Sequence, residues 1–227
     1  MELKDAIQKR ISVRGYRKDP VPKKILSEII EVSLRSPSAM NVQPWEITVL
    51  TGEPLARLCR ENMALLTGGQ MPGADLGHPR PYEGVYKDRQ RALGFELYGL
   101  LGIAKDDRDK RTEWMMTGFR AFDAPAVIIV SADESLETRL AASDIGGLIQ
   151  TICLVALEYG LGTCINSQGI LFPDVVRDVT GISVSQKMHI CIAIGYPDWD
   201  HPANKLISAR ESLENVATWV GFEENVS

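Results

Sequence analysis

The most apolar long segment of the chain, residues 138–159, constrains the fold more than any other part of the sequence. Its apolar side chains cover most of the circumference of a helix and include Ile145, Leu148, Ile149, Ile152, Cys153, Val155, Ala156 and Leu157. A helix that is apolar on nearly all sides must be covered by other elements, so we expect it in the core or at a subunit interface. Gly160 and Gly162 are expected to end it as a C-cap.

Short apolar runs and longer periodic segments surround this helix. The runs predict strands at 46–50, 126–130, 163–165 and 188–194, and helical spacing of apolar residues recurs at 3–10, 25–34, 53–66, 110–122 and 173–180. About four strands, seven or more helices and no repeat indicate an α+β, three-layer α/β/α fold. A chain of 227 residues allows one large domain or two small ones, and we expect one domain over residues 1–227.

A segment rich in glycine and proline interrupts this pattern. Residues 67–84 contain five glycines and three prolines, and we expect a loop at about 67–92, with an amphipathic helix running on to about residue 104. Loops of this length inside a compact domain are usually functional or mobile.

Composition disfavours several classes of function. The net charge of −5 argues against a nucleic-acid or anionic membrane partner. The first residues lack a signal-peptide layout, and no uninterrupted apolar run reaches the roughly 18 residues that span a bilayer. The four cysteines show no Cys-x-x-Cys spacing, so we expect buried free thiols in a cytoplasmic protein. His78, His189 and His201 are far apart in sequence, which disfavours a metal site.

A basic row stands near the start of the chain, where Arg10, Ser12 and Arg14 alternate. On an extended backbone alternate side chains point the same way, so all three would face one site. Two guanidinium groups and a hydroxyl are suited to the oxygens of a phosphate. We therefore expect a phosphorylated cofactor at this row, which we consider together with Arg210 near the other end of the chain.

Two polar loops provide further candidates. Ser38, Asn41 and Gln43 lie between a helix and a strand, where their donors and acceptors suit the edge of a heteroaromatic ring; simple capping and turning of the chain is the alternative. Gln168 and Gly169 follow a strand, where backbone amides can approach a ligand closely. Because the sequence has no Rossmann glycine motif, Walker A motif or Gly-x-Ser-x-Gly elbow, we expect the cofactor to supply the chemistry.

Taken together, these segments resemble the nitroreductase family of FMN-dependent NAD(P)H oxidoreductases. The resemblance runs from end to end of the chain, in matching order, through Arg10-x-Ser12-x-Arg14-x-Tyr16, Pro37-Ser38-x-x-Asn41-x-Gln43-Pro44-Trp45, Asp123-Ala124-Pro125, Gly160-Leu161-Gly162, Asn166-Ser167-Gln168-Gly169, and Gly195-Tyr196-Pro197 followed by Arg210. It implies a nitroreductase-like fold with a central, mostly antiparallel sheet flanked by helices. It also implies a homodimer with two FMN sites at its interface.

The resemblance assigns cofactor-binding roles to individual positions. Arg10 and Ser12 match phosphate and ribityl contacts, and Arg14 matches a basic residue near the flavin pyrimidine. Gln168 and Gly169 match the segment beside the reactive N5 edge.

Three further positions match the loop that reaches the flavin of the partner subunit, namely Ser38, Asn41 and Gln43. Arg210 matches the C-terminal phosphate arginine. Ser208 stands where many members carry a lysine, and Lys205 is a candidate substitute.

The implied reaction is ping-pong: NADH or NADPH reduces the flavin, and a nitroaromatic or quinone-type acceptor reoxidises it, with no catalytic protein residue. The alternatives are a reductive dehalogenase, a flavin-fragmenting relative, or a non-catalytic flavin-binding sensor. The aromatic stretch 114–122 lines an acceptor pocket or belongs to the core. Arg89 is either a contact to substrate or ribityl, or an exposed charge.

Overall fold

A computed structural model describes residues 1–77 and 80–222 of the chain. Within these ranges the helices are α1 (Leu3–Lys9), α2 (Lys23–Ser33), α3 (Gly52–Thr67), α4 (Gly84–Leu100), α5 (Arg108–Phe119), α6 (Thr138–Glu158), α7 (Pro173–Thr180) and α8 (Leu213–Val216). The strands are β1 (Glu46–Thr51), β2 (Ala126–Asp133), β3 (Gly162–Asn166) and β4 (Gln186–Gly195). Short 3₁₀ turns lie at Ala39–Asn41, Ala121–Asp123, Gln168–Ile170 and Pro202–Lys205.

The four strands form one sheet in the order β1-β2-β4-β3. Each neighbouring pair is antiparallel, with Ile47 opposite Val130 in β1 and β2. In β2 and β4, Ile129 is opposite Cys191. The predicted central, mostly antiparallel sheet is confirmed.

Both faces of the sheet are covered, because β2 is apolar on both sides. Ile128 and Val130 pack with α2 and α6 in one buried cluster. Val127 and Ile129 face the other way and pack with side chains of α3 and α7. This alternation places a helical layer on each face of the sheet, so the predicted three-layer α+β architecture is confirmed.

Within the single chain, helix α6 is buried along one face, so this chain alone does not cover it on nearly all sides, and cover at a subunit interface stays a prediction. Its buried residues are Ala141, Ile145, Leu148, Ile152, Cys153 and Ala156, whereas Leu140 is 49% exposed. By length and composition α6 is apolar enough to cross a membrane, with a third of its apolar window buried. A core helix meets the same criterion, and α6 packs on α2 and the sheet.

The Gly/Pro-rich loop is shorter than predicted and is fixed to the body of the protein. Helix α4 begins at Gly84, so the last third of the predicted 67–92 loop is helical. In the loop, the Asp75 carboxylate accepts hydrogen bonds from Arg177 at 2.8 and 3.1 Å and from the backbone N–H of Met188 at 3.0 Å. His78 lies outside the described residues.

Candidate functional site

The segment that carries the basic row is extended, which is the condition for its alternate side chains to face one way. Ser12 forms a parallel bridge with Thr163 of β3, and Tyr16 forms an antiparallel bridge with Pro197 just after β4. The backbone N–H of Val13 donates to the carbonyl of Thr163 at 3.0 Å. The row therefore lies beside the sheet, where β3 begins and β4 ends.

The three polar side chains of the row share a neighbour, the thiol of Cys164. Burial raises the pKa of Cys164 to about 11, while the charges of Arg14 and Arg10 and a hydrogen bond with Ser12 act in the opposite direction. One Nη of Arg14 also donates to the carbonyl of Ser12 at 3.3 Å. Arg10 lines a cleft of about 600 Å³ and Arg14 a pocket of about 150 Å³, so a single site shared by Arg10, Ser12 and Arg14 stays a prediction.

The backbone of the row is held by Asn204, which the sequence reasoning missed. Its Oδ1 accepts from the backbone N–H of Arg14 at 2.7 Å, and its Nδ2 donates to the carbonyls of Gly15 at 2.8 Å and Asp198 at 2.7 Å. Asn204 is only 4% exposed. In the sequence, Asn204 is marked only by its place in a Pro-Ala-Asn-Lys segment. That segment does not reveal that Asn204 binds backbone atoms near Arg14.

A small pocket of about 150 Å³ lies beside Arg14 and is lined in part by Trp114, Phe122 and His201. The Trp114 ring lies 6.1 Å from Phe122 and 6.2 Å from His201, between centroids. A Cβ at Gly15 would come within 2.2 Å of the His201 ring, so this position excludes a side chain. Two residues of the aromatic stretch 114–122 therefore line a pocket, whereas Phe119 is buried in the core, 3% exposed.

The segment after β3 is positioned by a second buried amide. Asn166 accepts from the backbone N–H of Gln168 at 2.9 Å and donates to the carbonyl of Gly118 at 2.7 Å. The Gln168 side chain donates to the carbonyl of Met115 at 3.0 Å, and a Cβ at Gly118 would lie 1.8 Å from its oxygen. The Gln168 side chain therefore occupies space that any side chain at position 118 would fill.

Gly169 is buried, and the sulfur of Cys191 explains why no side chain fits. A Cβ at this position would lie 2.9 Å from that sulfur. Glycine at 169 therefore lets the turn after β3 pack closely against β4. This packing requirement exists whether or not the backbone amides of the turn also contact a ligand.

The loop with Ser38, Asn41 and Gln43 is exposed and ordered by its own contacts. The Ser38 hydroxyl accepts from the backbone N–H of Gln43 at 2.9 Å, and the Gln43 side chain donates to the carbonyl of Asn41 at 3.3 Å. Met40, Asn41 and Gln43 have positive φ angles near 50°, which is unfavourable for residues with a Cβ. Within the described residues, no hydrogen bond or ion pair joins this loop to the basic row.

The two predicted phosphate arginines line different clefts. Arg10 lies in a cleft of about 600 Å³ together with Lys205 and Trp199. Arg210 lies in a groove of about 650 Å³ beside α4, together with Ser208 and Arg89. The structure therefore brings Lys205, rather than Arg210, into the cleft of Arg10.

Other ionisable groups near the sheet are unsuited to nucleophilic chemistry. The four cysteines are free, and all but Cys59 are buried, as expected. Burial raises the pKa of Cys59 to about 11 and also raises that of Cys153. In the part of the chain that the structure describes, no group of three or more His, Cys, Asp or Glu side chains could hold a metal ion.

The architecture is that of a three-layer α+β protein, and comparison with known proteins identifies its family. The model of the nitroreductase family matches residues 7–196. The chain is 32% identical over 221 residues to 4-nitrobenzoate reductase of Pseudomonas putida, covering 96% of this chain and 95% of the relative.

Solved structures agree. The FMN- and NADPH-dependent nitroreductase NfnB from Sphigopyxis sp. strain HMH has a TM-score of 0.92 at 30% identity, covering 98% of this chain and 100% of that chain. The FMN-dependent nitroreductase NfnB from Mycobacterium smegmatis, in complex with NADPH, has a TM-score of 0.89 at 27% identity, covering 96% and 97%. The chain belongs to the nitroreductase family, and the predicted family, fold class and class of enzyme are confirmed.

Proposed function

We propose that the protein is an FMN-dependent NAD(P)H oxidoreductase that reduces nitroaromatic or quinone-type acceptors by a ping-pong mechanism. The observation that carries the proposal is the alternation of Arg10, Ser12 and Arg14 on an extended segment that is bridged to the edge strand β3 of a nitroreductase fold. Bound FMN would supply reversible two-electron chemistry by accepting and donating hydride at N5. NADH or NADPH would serve as the electron donor.

The residues of the row fit such a cofactor because they combine fixed positive charge with a hydroxyl. Arg10 and Ser12 would hold the phosphate and ribityl groups. Lys205 lines the cleft of Arg10, which supports it as a phosphate ligand. Arg210, in the neighbouring groove, remains a proposed ligand of the same phosphate.

Arg14 would act on the ring end of the cofactor. Its backbone N–H is fixed by buried Asn204 at 2.7 Å, so the guanidinium starts from a rigid base. A fixed positive charge near the pyrimidine would stabilise the reduced, anionic ring more than the oxidised one. The backbone N–H of Gln168 is engaged by Asn166, which fixes the turn, and the backbone of Gly169 next to it would lie along the N5 edge.

We further propose a cytoplasmic homodimer in which the loop with Ser38, Asn41 and Gln43 completes the site of the partner. Positive φ angles at residues with a Cβ are unfavourable and cluster at functional contacts. Met40 is 95% exposed, so its side chain is available to a second chain. The exposed side of α6, with Leu140 at its start and the small residues Ala142, Gly146 and Gly147 along it, offers a surface on which a second copy could pack closely. Free cysteines suit a reducing compartment.

The acceptor class is proposed from the family and its relatives. They include enzymes named as reductases of 4-nitrobenzoate, chloronitrobenzene and nitrobenzene. Their names share a nitroaromatic acceptor, which the pocket of Trp114 and Phe122 beside Arg14 would suit by stacking.

The decisive experiment is a visible absorbance spectrum of the purified protein followed by an assay of NAD(P)H oxidation. We expect a flavin spectrum, NAD(P)H oxidation that depends on a nitroaromatic or quinone, and parallel double-reciprocal plots. A colourless protein that does not bind added FMN would refute the proposal. Flavin binding without turnover would leave a sensor instead of an enzyme.

A further inference from the structure

The turn after β3 and helix α5 are joined by two hydrogen bonds. The Nδ2 of Asn166 donates to the carbonyl of Gly118 at 2.7 Å, and the Nε2 of Gln168 donates to the carbonyl of Met115 at 3.0 Å. Among the described residues, no other hydrogen bond joins α5 to a residue more than ten positions away. The place of α5 against the sheet therefore depends on these two side-chain amides.

Burial of its own side chains holds α5 only at its C-terminal end. Of its 12 residues, Gly118 and Phe119 are the buried ones. The Gly118 carbonyl belongs to the last turn of the helix, whose carbonyls have no partner further along the helix. Asn166 is 4% exposed, so water does not compete for its bond to this carbonyl. Asn166 therefore fixes the end of α5 that packs on the rest of the protein.

The same helix carries two residues of the pocket beside Arg14. Trp114 and Thr117 line that pocket, and the Thr117 hydroxyl donates to the Trp114 carbonyl at 2.6 Å. Residues four positions apart lie on one face of a helix, so Trp114 and Gly118 are neighbours on α5. A shift of α5 at Gly118 therefore moves the Trp114 wall of the pocket.

The other group of the Asn166 amide fixes the turn that we propose lies beside the flavin. Its Oδ1 accepts from the backbone N–H of Gln168 at 2.9 Å, and Gly169 follows directly. An amide suits this place because it offers a donor to one partner and an acceptor to the other. One buried side chain thus contacts both the proposed reacting edge and the helix of the proposed acceptor pocket.

We propose that Asn166 is a positioning residue that sets the separation between the reacting edge at Gly169 and the acceptor pocket of Trp114. It acts through Gln168 and Gly118. Hydride transfer requires reacting atoms about 3–3.5 Å apart, and a displacement of about 1 Å can lower the rate by about a hundredfold. This inference rests on the proposed reduction of nitroaromatic or quinone-type acceptors and adds a residue that aligns them.

The test compares two oxidants of the FMN-loaded protein after reduction with stoichiometric dithionite, so that NADPH plays no part. Nitrobenzene has to enter the pocket to accept hydride, whereas two ferricyanide ions each take one electron and need no aromatic pocket. The readout is the ratio of the reoxidation rate constants, nitrobenzene over ferricyanide, measured by stopped-flow absorbance. Asn166→Ala is expected to lower this ratio at least about tenfold, with an unchanged rate for ferricyanide.

Two further variants identify which contact matters. Asn166→Asp keeps an acceptor for Gln168 but has no donor for the Gly118 carbonyl, so the ratio should fall as it does in Asn166→Ala. Ser33→Ala is the matched control, because it removes a buried hydrogen bond to the Ile29 carbonyl at 2.7 Å from α2, on the opposite face of the sheet. Its ratio should equal that of the parent protein although its stability is lower.

A third variant disturbs the same link and leaves Asn166 intact. In Gly118→Ala the new Cβ would lie 1.8 Å from the side-chain oxygen of Gln168, so this amide must move and its bond to Met115 is lost. Alanine is a better helix former than glycine, so the helix itself is not weakened. The ratio should fall by about threefold or more, which tests the inference even if Asn166→Ala does not fold.

Hydrogen exchange provides a readout that needs no turnover. In FMN-loaded Asn166→Ala, the amides of residues 114–119 should exchange at least about tenfold faster than in the parent protein, whereas those of β2 keep the parent rate. Unchanged exchange in α5 would show that Asn166 does not hold the helix and would overturn the inference.

The rate measurements separate failure of this inference from failure of the proposed function. An unchanged ratio in Asn166→Ala, or an equal loss with both oxidants, would refute the positioning role alone if the parent protein reduces nitrobenzene. A parent protein that is reoxidised by ferricyanide but by neither nitrobenzene nor a quinone would refute the proposed acceptor class, and the role of Asn166 in aligning the acceptor with it.

Discussion

Replacing Asn204 with alanine should destabilise the protein by an amount that its three hydrogen bonds define. The bonds measure 2.7, 2.8 and 2.7 Å, and the residue is 4% exposed, so solvent cannot replace them. At about 1 kcal/mol net for each bond, Asn204→Ala should cost about 3 kcal/mol of unfolding free energy. For a chain of this length that lowers Tm by roughly 6–12 °C.

The assay is thermal and urea unfolding of FMN-loaded protein at one fixed concentration, so that binding and association contribute equally to each variant. Asn62→Ala is the matched control. Asn62 is 0% exposed, but its side-chain atoms have no hydrogen-bond partner among the described residues. Its replacement should therefore cost about 1 kcal/mol or less. Equal losses in the two variants would show that packing, not the hydrogen bonds to the basic row, explains the effect.

Four further predictions concern charge. Arg14→Gln should lower the flavin reduction potential more than FMN occupancy, and equal loss of both in spectroelectrochemical and FMN titrations would contradict its proposed role. Asp75→Asn should cost about 3 kcal/mol in urea unfolding, because Arg177 would remain as a buried charge without its partner. Burial lowers the pKa of His189 from its usual value of 6.5 in the folded protein. As the pH falls, the unfolded state therefore binds a proton at a higher pH than the folded state, and the free energy of unfolding decreases below about pH 6.5. His189→Gln should flatten that slope between about pH 7 and 5 in unfolding curves. Ellman's reagent at about pH 8 should find no fast thiol in the native protein and four after unfolding, because burial raises the thiol pKa values.

Most of the correct predictions came from the spacing of residues that are only a few positions apart in the sequence. The apolar period of 53–66 and 173–180 predicted the helices α3 and α7, because apolar residues three and four positions apart share one face of a helix. The apolar runs of β2 and β4 predicted buried strands, because only residues covered on both faces can be apolar throughout. Both features depend on neighbours within a few positions, which a single sequence contains.

Features that depend on distant contacts could not be predicted. Asn166 and Asn204 bind backbone atoms, and a backbone carbonyl has no residue type that marks it in the sequence. The course of the chain after β4 decides whether Lys205 or Arg210 lies beside Arg10, and no local pattern specifies it. The sequence left open whether the core or a subunit interface covers α6, because composition does not reveal whether the same chain or a second copy covers a helix.

None of the 17 residues of α4 is buried, and this has a consequence for local stability. A helix held mainly by surface contacts opens without disturbing the core, so its free energy of opening is far below that of global unfolding. Amide protons of α4 should therefore exchange with deuterium quickly, whereas those of β2 and β4 persist. Arg210, the proposed phosphate ligand, lines one groove together with residues of α4. Binding of FMN at Arg210 should therefore slow exchange in this one helix, which makes α4 a reporter of cofactor occupancy.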